Sequence, residues 1–261
     1  MLKKYLEGKL AFNWVLGLSL ILFFGVLRFI AVLYGIQSGD NKYLSIIFTA
    51  MILLPFIILS KKGRQYVKIQ WPKNFLSLIY SCLMGMTICF VIFLLGQTLY
   101  GNELSNWFKY IGESYPIDFN TISNADKDIY FLVFVGIGMT FSPLGEELLY
   151  RGLVHGCFLY RFGDKKSAVI DSAAFGLTHL AHFGIIYNNS TWDFYLLPGL
   201  IWVFLMFLTG LVFNISKTLS NSVWGAIVSH MAFNMTMTYL IFYHVFEKKK
   251  LRFNYQNLRN K

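Results

Sequence analysis

Residues 129–151 read IYFLVFVGIGMTFSPLGEELLYR. An apolar run from Ile129 to Phe141 passes Pro143 and meets Glu146, Glu147 and Arg151. Charge beside hydrocarbon is expensive, so ionisable residues there are read first as functional. On a helix, positions four apart share a face, so Glu147 and Arg151 can pair. Glu146 lies about 100° around the helix from Glu147, which leaves it free to face a cavity. The bland alternative is a cytoplasmic helix end, marked by Pro143 and Gly145, where all three charges are solvated.

The surrounding chain favours a membrane. Of 261 residues, 56% are hydrophobic and 14% charged, against about 45–50% and 25% in soluble domains. That excludes disorder and coiled coil and argues against a soluble fold. A spanning helix needs about 20 mostly apolar residues. Such runs fall at 12–34 (Arg28 its only charge), 44–60 (with Pro55), 75–100, 129–141 and onward, 167–183, 194–214 and 223–246. The first is too long for a signal-peptide core and is read as an anchor. The expected fold is all-α, a polytopic integral membrane bundle of seven or eight helices. It forms one membrane domain over 1–261, with amino-terminal helices and an outer loop in 1–128, a polar-motif core in 129–246, and a basic tail in 247–261.

The net charge of +10 suggests no nucleic-acid partner, because the basic residues sit between apolar runs, as cytoplasmic flanks do. Lys61, Lys62, Arg64, Lys68 and Lys73 place loop 61–73 inside, and Lys3, Lys4 and Lys9 place the amino-terminus with it. Residues 101–128 hold five acids and two lysines and should be outside. There, Trp107, Phe108, Tyr110 and Tyr115 read as an outer loop at headgroup depth, or as an interfacial helix that gates the core. Seven crossings would leave the tail outside, yet 247–261 has six basic residues against Glu247. The charge is given precedence, and both termini are expected to be cytoplasmic, in a bacterial plasma membrane. Cys82, Cys89 and Cys157 form no metal or disulfide pattern and read as small core- or lipid-facing residues.

Two further apolar segments carry polar pairs: Phe175 with His179, followed by His182, and His230 with Asn234. Buried polar groups must find partners, so three such segments are expected to converge on one wet pocket. Two chemistries fit. Glu146, supported by His179, could act as general base on a water while His230 and Asn234 stabilise the oxyanion. Alternatively, His179, His230 and Glu146 could bind zinc in a metalloprotease-like site. There is no HExxH and no GxSxG, so the familiar zinc and serine signatures are missing.

Glu-Glu-x-x-x-Arg at 146–151, Phe-x-x-x-His at 175–179 and His-x-x-x-Asn at 230–234 resemble the CPBP family. These are the CAAX-protease and bacteriocin-processing (Abi) intramembrane proteins. The resemblance covers roughly 129–240 and makes 129–246 a candidate CPBP catalytic core. It implies about eight membrane helices and a glutamate-dependent endopeptidase that opens toward the cytosolic leaflet. It also implies that Glu146 and His179 activate water, that His230 and Asn234 hold the oxyanion, and that Glu147, Arg151 and Phe175 support them. No metal or other cofactor is expected; zinc is chemically open but not favoured. The partners would be a peptide or protein substrate within the membrane and the bilayer itself. A non-proteolytic self-immunity or scaffold protein is the alternative. His155, His182 and His244 match no family motif and are read as structural.

Overall fold

The computed structural model describes residues 1–119 and 121–246. It is nearly all helical: α1 (Trp14–Ser38), α2 (Lys42–Ile58), α3 (Lys61–Tyr66), α4 (Leu76–Tyr100), α5 (Trp107–Glu113), α6 (Asn124–Glu147), α7 (His155–Thr178), α8 (Leu196–Ser220) and α9 (Val223–Leu240). Four stretches are long and apolar enough to cross a membrane: α1, α4, Asn124–Ala181 and α8. The departure from all-α is a hairpin of β1 (Ile185–Asn188) and β2 (Thr191–Phe194), antiparallel with Ile185 opposite Phe194. Asn189 and Ser190 both have positive φ, 49° and 63°, which suits the tight turn that a right-handed twist favours.

Polar caps mark the ends of otherwise apolar helices. The Asn13 side chain accepts from the Val15 and Leu16 N–H groups, and Gly39 closes α1 at φ 73°. Ser123 accepts from the Asp126 N–H at the start of α6. Along α1, Leu22, Phe23 and Ile30 face outward, while Arg28 is only 1% exposed. The helix is thus apolar outside and charged inside, as lipid rather than water requires.

The helix bearing Glu146 and Glu147 does not end at Pro143. It continues through a π-helical stretch, Leu148–Val154, into α7 and breaks only at Gly163, where φ is 74°. Single π turns inside α-helices recur at functional sites. The solvated-end alternative fails on burial: Glu146, Glu147 and Arg151 are all 0% exposed.

Within 101–119, α5 packs its aromatic side chains into the bundle. Trp107 and Phe108 are fully buried; Trp107 donates to the Ile92 carbonyl and stacks on Trp202. Tyr110 accepts from the Tyr187 N–H, which joins α5 to the hairpin. Burial of these rings corrects the outer-loop reading and favours a helix fitted over the core. Cys89 and Cys157 are buried, as read.

α9 packs mainly against α4, α6 and α8. At Gly85 a side-chain carbon would overlap the Ser229 carbonyl, so this glycine permits the close α4–α9 approach beside His230. The Lys3 N–H donates to the Ile58 carbonyl, and the Val223 N–H to Lys68, gathering the amino-terminus, loop 59–75 and the α8–α9 turn at one end. Phe246 instead stacks on Phe119, 4.2 Å apart, beyond α5 at the other end. The described chain therefore finishes opposite its start, against the expectation of a shared side. The basic tail on which that expectation rested, 247–261, lies outside the described residues.

Candidate active site

Glu146 is not free to face a cavity. Its Oε1 accepts from Ser142 at 2.7 Å and pairs with Arg28 Nη2 at 3.0 Å. Ser142 is one turn earlier on α6, so the helix brings it to the carboxylate; Arg28 arrives from α1. The second carboxylate oxygen, Oε2, is buried and has no hydrogen-bond partner among the described residues.

Arg28 also holds the start of the next motif. Its Nη1 donates to the Thr178 hydroxyl at 2.7 Å. Its Nη2 lies 3.4 Å from His179 Nε2 and 3.2 Å from His182 Nε2. His179 Nδ1 is 2.7 Å from the Phe175 carbonyl. A carbonyl only accepts, so Nδ1 carries the proton and Nε2 presents its lone pair to the guanidinium. One cation thus joins the two residues expected to activate water. It also draws in His182, which had been read as structural.

The second cluster centres on Glu147. Its Oε1 accepts from Arg151 Nη1 at 3.2 Å, as the spacing predicts, and lies 2.8 Å from His230 Nδ1. Nε2 is then the imidazole's remaining nitrogen. Asn234 uses one amide N–H on the Gly138 carbonyl, 2.8 Å away. Phe175 separates the clusters: its ring lies 4.3 Å from that of His179, 5.7 Å from His230, and 4.4 Å from the Arg151 guanidinium.

The clusters flank a cavity of about 290 Å³. Arg28, Ser142, His179, His182, His230 and Asn234 supply its polar wall; the rest is chiefly aromatic and aliphatic. Glu146 does not line it, but both its hydrogen-bonding partners do. Ser114 and Ile137 are the exposed members of the lining. Ser114 lies at the α5 end and Ile137 midway along α6.

Of the expected residues, Glu146, His179, His230, Asn234, Glu147, Arg151 and Phe175 all fall in this one region. Sequence reasoning missed Arg28, Ser142, Thr178 and His182. The signal for Arg28 was present: a lone charge in an apolar run must be neutralised by something. His155 is 3% exposed and bonded to Asp171 and Asp164. His244 lies edge-on to the rings of Phe93 and Tyr239.

Zinc would require Glu146, His179 and His230 to meet at one point. Here His230 turns Nδ1 to Glu147, and Arg28, a permanent cation, lies against Glu146 and His179. Among the described residues, no group of three His, Cys, Asp or Glu is placed to hold a metal ion. The donor set does not fit the ion.

Residues 128–236 match the Rce1-like family, described as type II CAAX prenyl endopeptidase Rce1-like. The match spans all three motifs and agrees with the resemblance to the CAAX-protease family. No curated protein and no solved structure matches the chain.

Proposed function

We propose that the protein is an intramembrane endopeptidase that cleaves a membrane-associated or lipidated peptide with glutamate-activated water. The observation that carries this reading is that Glu146 and His179, from separate helices, meet on Arg28 beside a cavity in the bundle. The match to a CAAX-protease family supports it. In this reading a water reaches past Arg28 and Ser142 and donates one O–H to Glu146 Oε2, whose lone pairs no described protein group uses. Its oxygen attacks the peptide carbonyl as the proton passes to the carboxylate. His230 Nε2, when it also carries a proton, and the second Asn234 N–H steady the oxyanion. Such donors are worth about 3 kcal/mol each in known cases. Collapse breaks the C–N bond, and the departing amine takes the proton back from Glu146. The residues carry the reaction without a metal or other cofactor.

In the bilayer, α1, α2, α4, α6, the second half of α7, α8 and α9 would make seven passages, with loop 61–73 cytoplasmic.

One observation favours a second reading, a non-proteolytic self-immunity or scaffold protein. Glu146 is already engaged by Arg28 at 3.0 Å and by Ser142 at 2.7 Å, and it does not line the cavity. The deciding experiment compares membrane peptides from cells carrying wild type, Glu146→Gln or His179→Ala. Peptides made only with wild type support the peptidase. Identical profiles, with the protein folded in all three, would leave the scaffold.

A further inference from the structure

A second polar chain runs behind the cavity and ends on His230. It begins at Asp164, whose side chain is 60% exposed beside the Gly163 break. Asp164 Oδ1 lies 3.1 Å from His155 Nε2, and His155 Nδ1 lies 2.8 Å from Asp171 Oδ2. Asp171 Oδ1 pairs with Arg151 Nε at 3.6 Å and accepts from Asn214 Nδ2 at 2.7 Å. Arg151 then reaches Glu147, and Glu147 reaches His230. His155, Asp171 and Arg151 are all buried. Its buried charges are paired with one another, as burial demands.

It is not a proton wire. Arginine does not release its proton in proteins, so Arg151 blocks any hand-over between Asp171 and Glu147. What the chain transmits is position. Arg151 Nη1 and His230 Nδ1 both bond the same oxygen, Glu147 Oε1, at 3.2 and 2.8 Å. They share it, since a carboxylate oxygen has two lone pairs. Asp171 supplies a second anion to Arg151, and so bears on where Arg151 sits against Glu147 and on how strongly Oε1 is drawn from His230. Arg151 fits between these acids because Gly210 leaves room: a side-chain carbon there would lie 2.7 Å from Nη2.

We infer that Asp171, oriented by His155 and Asn214, is a positioning residue that sets the Glu147–His230 hydrogen bond through Arg151. The inference takes its meaning from the peptidase reading, in which His230 faces the oxyanion, but its test does not use turnover. Protein carrying ring-15N histidine in detergent micelles gives the His230 Nδ1–H resonance, assigned by its loss in His230→Gln. In wild type that proton should lie far downfield, as a hydrogen bond to a carboxylate demands. Asp171→Asn should move it upfield, and Asp171→Glu should return it. An unmoved resonance in Asp171→Asn, with wild-type helicity and melting, would overturn the inference. If Asp171→Asn does not fold, His155→Gln carries the same test, since it leaves both charges in place. A shifted His230 resonance there supports the chain, and an unchanged one overturns it. An inactive protein with the expected shifts would sink the peptidase and leave this inference standing.

Discussion

Arg28 Nη2 lies 3.0 Å from Glu146 Oε1, with both side chains at most 2% exposed. The first helix thus supplies the counter-charge for an acid near the end of α6. This pair alters what removal of Glu146 should do. Breaking a buried ion pair from one side costs about 3–5 kcal/mol in soluble proteins, whereas apolar replacement of both partners is often neutral. Glu146→Gln should therefore lower the melting temperature as well as any activity, as should Arg28→Met. The double variant should recover much of the loss. Thermal melting of the four proteins in one detergent checks this; additive losses would mean that the pair does not couple them.

Glu147 holds both Arg151 and His230. Glu147→Gln should cost folded protein, again about 3–5 kcal/mol, because Arg151 keeps only the more distant Asp171. Yield and unfolding by fluorescence-detected chromatography measure it. Wild-type stability in Glu147→Gln would assign the residue to chemistry alone and reverse the division of labour between the two acids.

Gly85 allows α4 to touch α9 at Ser229. Gly85→Ala should force the helices apart, at about 1–3 kcal/mol for such overpacking. His230, the next residue after Ser229, should move with α9. The comparison variant is Gly136→Ala, where a side-chain carbon meets nothing within 4 Å. Equal melting of the two variants would contradict the packing described.

Cysteines placed singly at 64, 103 and 244 in a cysteine-free chain test the orientation. Position 64 lies in the basic loop, while 103 and 244 lie at the end bearing α5. Impermeant thiol reagents should label 103 and 244 from one face and 64 from the other, with 64 cytoplasmic. Labelling of 64 and 244 from the same face would reinstate the shared side that the tail charge suggests.

Purified protein should contain no stoichiometric zinc, since Arg28 stands against two of the three ligands the ion would need. Elemental analysis is the better measurement, because a tightly bound ion resists chelators. One zinc per chain, lost in His179→Ala and His230→Ala, would replace the glutamate mechanism with metal-assisted hydrolysis.

The sequence by itself determined that this is a membrane bundle, roughly where its helices lie, and that three polar motifs share one region. It could do so because hydropathy is a property of single segments and helical spacing is local: Glu147 and Arg151 pair within one turn. The match over 128–236 covers those motifs but not Arg28. Only the tertiary structure decided which residue neutralises Glu146, that His182 joins the site while His155 serves Asp171, and that α5 is buried rather than peripheral. These are contacts between segments far apart in the chain. Inside a low-dielectric bundle every charge must find an opposite or a hydrogen bond, but that rule does not name the partner. A lone arginine in the first apolar run could have paired with any of several acids; the packing of α1 against α7 placed it between Glu146 and His179.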